Sequence, residues 1–158
     1  MGENMADPVN AAPQPSVAPP QRRIHWHVFF THFPISLFGA AFGFQVLHLF
    51  MAPVCFELAT NVALLGGAVM LMPTILTGWT EWKARYRGAK GLIFRRKIPT
   101  AFAMAVLSIP LVIWRITALG LFEEAPESPQ HLIYLAGNTC LILGAIVEGY
   151  YGGRLNHR

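Results

Sequence analysis

Four long apolar runs, parted by short polar stretches, dominate the chain. They cover about residues 28–54, 58–82, 98–122 and 132–152. Each holds roughly 20–27 residues, enough at ~1.5 Å rise per residue to cross a ~30 Å hydrocarbon layer with some tilt. Apolar side chains recur on all sides of these runs, with no one-sided polar stripe of the kind that marks an amphipathic surface helix. Backbone inside lipid must satisfy its hydrogen bonds within the segment. The pattern therefore predicts an all-α fold, an antiparallel four-helix transmembrane bundle over residues 24–158.

Residues 1–23 break the pattern. Pro8, Pro13, Pro15, Pro19 and Pro20, spread among Ala, Gln and Ser, predict an extended, polyproline-biased arm that joins no core. No short apolar core leads to a small-residue cleavage site, so the arm does not read as a secretory signal. It reads as a cytoplasmic tail, or as a segment that docks on a partner subunit.

Composition sharpens the membrane reading. The chain has 158 residues, 54% hydrophobic and 13% charged, against ~25% charged in a soluble domain. A soluble protein of this size has too little interior to hide so much apolar surface. The formal charge of +4 belongs to residues set between apolar segments, not to a patch on a soluble face, which excludes a nucleic-acid partner. Cys55 and Cys140 give no disulfide framework.

Charge placement gives an orientation. Arg22 and Arg23 precede the first run, seven Lys and Arg between Lys83 and Lys97 fill the second loop, and Arg154 and Arg158 follow the fourth run. With four spans these all fall on one side. The other side receives Glu57 in a very short first turn, and Glu123, Glu124 and Glu127 in the third loop. The positive-inside rule then places both termini in the cytoplasm. Gly39-x3-Gly43, Gly66-Gly67 and the Ala145, Gly149, Gly153 ladder read as close helix contacts. Pro73 and Pro110, both mid-helix, read as kinks.

Ionisable side chains within a span cost about 2.5–3.5 kcal/mol each on insertion scales and so mark candidate chemistry. At the cytoplasmic end His27, His32, Glu81, Glu148 and His157 are candidates for metal binding or a proton relay, and for a quinone head-group site. The plainer reading is a set of interfacial residues that reach water, beside a belt of Trp26, Trp79 and Trp82. At the outer end His48 and His131 occupy similar depths on different helices, as axial ligation of a b-type haem requires, and Arg115 would meet a propionate. A structural pairing of Arg115 with Glu57 or the third-loop glutamates is the stronger expectation. No phosphate loop, HExxH, GxSxG or CxxC occurs, so stand-alone catalysis is not expected.

The string His27-Val28-Phe29-Phe30-Thr31-His32-Phe33-Pro34-Ile35 resembles the opening of a family of bacterial four-span inner-membrane proteins of unknown function. That family's first helix reads His-Pro-x-x-x-His-Phe-Pro-Ile. Gly78-x-x-Glu81-Trp82 is similar to its Gly-x-x-Asp-Trp, and Gly152-Gly153-Arg154-Leu155 with His157 to its Gly-Gly-x-Leu segment followed by His. Two features depart: Val28 replaces the first proline, and the third span opens Arg96-Lys97-Ile98-Pro99 where the family often has His. The resemblance implies a four-span fold in a bacterial inner membrane and motif residues at the cytoplasmic end. The sequence thus leads to a small accessory or anchor subunit of a membrane complex, with a redox complex as the expected kind, contacting other subunits or itself. The alternatives are a haem b or quinone-binding electron-transfer protein and a small oligomeric transporter or channel.

Overall fold

A computed structural model describes residues 26–52, 54–117 and 129–156. The Pro-rich arm, Glu123, Glu124, Glu127 and His157 lie outside the described residues. Four α-helices make up the rest, with no strand among the described residues: α1 Trp26–Met51, α2 Val54–Tyr86, α3 Leu92–Thr117 and α4 Pro129–Asn156. All four are long and apolar enough to cross a membrane. Consecutive helices pack side by side and α4 closes on α1, while the backbones of the two diagonal pairs stay apart. The chain is a square, antiparallel bundle and a multi-pass membrane protein.

Helix ends differ from the hydropathy reading for local reasons. α1 stops at Met51 because Ala52 takes a left-handed conformation (φ 59°), its N–H bonding the His48 carbonyl at 2.8 Å. Pro53 then has no N–H with which to continue. Glu57 consequently lies in the first turn of α2 and is buried, not in the connecting turn. At its other end α2 runs through Lys83 and Arg85 to Tyr86. Its 33 residues extend ~50 Å, well past a ~30 Å hydrocarbon layer. The turn chemistry arrives only at Arg87 and Gly88, both with positive φ, and the Trp82 indole N–H clamps the turn by donating to the Ala89 carbonyl at 2.9 Å. α3 starts at Leu92, six residues earlier than hydropathy suggests, which draws Lys97 into the helix.

The interior follows an alternation of three- and four-residue steps, from which only Ala63, buried beside Leu64, departs among the described residues. Buried positions run Pro34, Phe38, Ala41, Gln45, His48 in α1 and Glu57, Thr60, Leu64, Gly67, Leu71, Thr74 in α2. They run Met104, Ser108, Leu111, Arg115 in α3 and His131, Tyr134, Asn138, Leu141, Ala145, Glu148 in α4. A sustained 3.5-residue period is the seam of a left-handed supercoil. The buried polar residues of the spans lie on this seam, so the spans do carry a polar stripe, turned inward. Phe50, Leu76, Val106 and Ile113 face outward, where lipid covers them.

Glycines on the seam or beside it let large neighbours in. A Cβ at Gly67 would lie 2.7 Å from the Phe38 ring, and one at Gly137 2.7 Å from a Leu111 methyl. Gly39 faces Ile142 of α4, but Gly43 and Gly153, read from sequence as contact positions, meet nothing within 4 Å. Phe38, Leu64, Leu71, Met104 and Leu141 form an apolar middle layer. It parts two polar ends, one beside the basic α2–α3 turn and one beside the α1–α2 turn.

Candidate functional site

The end beside the α1–α2 turn holds a charged cluster closed off from solvent. Arg115 is 1% exposed, Glu57 and His48 4%, and His131 5%. Each comes from a different helix. The Arg115 guanidinium pairs with the Glu57 carboxylate, and its carbon lies 5.4 Å over the Tyr134 ring. The same carboxylate faces both imidazoles, His131 Nε2 at 3.4 Å and His48 Nε2 at 3.9 Å. The rings are 5.6 Å apart between centroids. The expected pairing of Arg115 is therefore with Glu57, and His131 is buried at the start of α4 instead of solvated at the interface.

A polar bracket behind the cluster locks α1 to α4. The Asn138 amide donates to Gln45 Oε1 at 2.5 Å, and the Gln45 amide donates to the His131 carbonyl at 3.4 Å. Tyr134 donates to Asn61 Oδ1 at 3.0 Å, tying α4 to α2 diagonally through side chains alone. Sequence reasoning missed Gln45, Asn61, Tyr134 and Asn138. Their signal is the spacing: Gln45 precedes His48 by three, and Tyr134 and Asn138 follow His131 by three and seven.

A b-type haem does not fit this cluster. Its iron would lie between the two imidazole nitrogens with the macrocycle crossing that gap. Those nitrogens instead converge on the Glu57 carboxylate, which Arg115 also holds.

The end beside the basic turn is an open vestibule. A cavity of about 290 Å³ is bounded by all four helices, with His27, Glu81, Lys97 and Glu148 among its polar walls and Trp79, Trp82 and Phe94 among its apolar ones. His27 Nδ1 is 3.4 Å from the Thr77 hydroxyl. Gly78 makes room for that ring, since a Cβ there would lie 2.7 Å from His27 Cε1. Lys97 reaches to 3.9 Å from Glu148. Of the sequence candidates, His27, Glu81 and Glu148 share this cavity, and His32 is an exposed residue at its rim. Lys97 was hidden among the loop cations because α3 begins earlier than its hydropathy does. The belt residues Trp79 and Trp82 lie 5.1 Å apart between ring centroids, with the Lys83 ammonium 5.2 Å over Trp79.

Fold and sites together define a four-span membrane bundle with a closed ionic cluster at one end and an open amphipathic vestibule at the other. No protein-family model, curated protein or solved structure matches the chain.

Proposed function

We propose that the protein is a quinone-binding subunit of a bacterial inner-membrane complex, its vestibule receiving the polar head of a bilayer-borne quinone. The observation that carries this reading is the convergence of His27, Glu81, Lys97 and Glu148 on one cavity of about 290 Å³ with aromatic walls. Ligand sites are mostly apolar clefts of ~300–1,000 Å³ with a few converging polar groups. An imidazole and an ammonium supply donors to quinone carbonyls, and the indoles of Trp79 and Trp82 give a flat ring a surface to lie on. The basic α2–α3 turn beside the vestibule supports a cytoplasmic position for it and for both termini under the positive-inside rule. The resemblance of the His-Phe-Pro-Ile string to bacterial four-span proteins supports the same membrane.

A channel within one copy is disfavoured by the apolar layer of Phe38, Leu64, Leu71, Met104 and Leu141, which parts the two polar ends. The test is titration of the full chain in mild detergent with a short-chain ubiquinone analogue, read by tryptophan fluorescence. Saturable quenching that weakens several-fold in His27→Ala and Lys97→Ala is expected, together with quinone in the organic extract of the purified protein. Quenching that is non-saturable and identical in both variants would defeat the reading.

A further inference from the structure

We infer that His48, Glu57 and His131 form a binding site for one divalent transition-metal ion of the zinc type, at the end of the bundle remote from the vestibule. The ligand atoms of the three side chains all lie within 4.8 Å of one another. Four-coordinate zinc holds nitrogen and oxygen at ~2.0–2.2 Å, which sets neighbouring ligand atoms ~3.3–3.6 Å apart. His131 Nε2 is 3.4 Å from Glu57 Oε1, at that spacing already, and His48 Nε2 is 3.9 Å from Oε2. The three ligand atoms, one per residue, lie within 4.8 Å of one another, so side-chain rotations of about an ångström bring them to that spacing, and rotamer adjustments of this kind are common on binding. Two imidazoles and one carboxylate make a borderline donor set suited to zinc over magnesium or calcium, which prefer oxygen.

Arg115 sets the character of the site. Its guanidinium pairs with Glu57 at Oε1, the oxygen that also faces His131, while Oε2 faces His48. Ligating carboxylates commonly accept a hydrogen bond on their second oxygen. The formal charges of Glu57 and Arg115 cancel, so a bound dication brings an anionic fourth ligand, hydroxide or chloride, into a site with one open position. The Asn138–Gln45–His131 bracket holds the α4 ligand in register with the α1 ligand. Three ligands from three helices mean that the ion, once bound, ties α1, α2 and α4 together.

The experiment is a zinc titration of the full chain in mild detergent, after chelator treatment, against a competing fluorescent zinc indicator. One zinc per chain is expected, with affinity at least tenfold lower in His48→Gln and in His131→Gln and unchanged in His27→Gln at the other end. Cobalt substitution of the unaltered chain gives a readout independent of the variants: a four-coordinate site with two imidazoles produces strong visible absorption bands. A chain that takes up no stoichiometric zinc and yields no such bands overturns the proposal, and the cluster is then a buried ion pair alone. Equal zinc affinity in the folded His48→Gln and His131→Gln proteins overturns it too. Quinone binding at the vestibule is scored separately, so either site can fail without the other.

Discussion

The Thr74 hydroxyl of α2 donates to the Phe30 carbonyl of α1 at 3.0 Å. Pro34, four residues further along α1, has no N–H to offer that carbonyl, so the neighbouring helix supplies the donor. The hydroxyl also lies 2.8 Å from the Met70 carbonyl of its own helix, which leaves one proton serving two acceptors. The proline of the His-Phe-Pro-Ile string thus has a partner 40 residues away in sequence, and the pair fixes the register of α1 on α2.

Replacing Thr74 with Val keeps the shape and removes the donor. The expected loss is ~0.6–1.7 kcal/mol, the range seen for interhelical hydrogen bonds in membranes. In a Pro34→Ala background the helix supplies its own N–H, and the same replacement should cost less. Unfolding midpoints in mixed micelles for the four proteins of this cycle give the coupling directly.

Gly67→Ala puts a methyl 2.7 Å from the Phe38 ring, which is buried on every side. Overpacking of this kind costs ~1–3 kcal/mol. Gly43→Ala meets nothing within 4 Å and should be neutral. Thermal melts of the two variants in one detergent separate a packing glycine from an idle one.

Glu57→Gln leaves the Arg115 guanidinium, 1% exposed, without its counter-charge. Breaking one partner of a buried pair costs ~3–5 kcal/mol, whereas replacing both is far milder. Glu57→Gln with Arg115→Met should therefore recover most of the stability that the single change loses, as measured by unfolding in mixed micelles.

Gly78→Ala sets a methyl against the His27 imidazole and should push the ring off Thr77. Helix content and melting temperature should change little, because the ring stands at an open vestibule with room to turn. Binding of the short-chain quinone analogue should weaken several-fold, on the same fluorescence titration.

Hydropathy made the four spans readable because each is long and apolar enough to cross a membrane. The Arg115–Glu57 pair was also within reach, since a cation inside a span needs a counter-charge. Rotation of the helices was not, because lipid-facing and core-facing residues are both apolar and an average over the span hides which is which. The 3–4 spacing of Gln45, His48 and of His131, Tyr134, Asn138 held that information, but it stands out only once polar residues in spans are followed as a pattern of their own. Lys97 was misplaced for a different reason. A helix can begin in the interfacial zone before its hydrophobic stretch does, and α3 gains a full turn and more that way.

The apolar middle layer has an electrical consequence. A transmembrane voltage falls mostly across the least polarisable slab in its path, and here that slab is the stack of Phe38, Leu64, Leu71, Met104 and Leu141. Glu148, at the open vestibule, therefore sits near the potential of the compartment on its side, and Glu57, shut in beside the α1–α2 turn, lies beyond the layer. Carrying a unit charge from one to the other would cross nearly the whole drop, ~2.3 kcal/mol per 100 mV. Within a single copy the two ends stand like charges on opposite plates of a capacitor, one plate wetted and the other sealed.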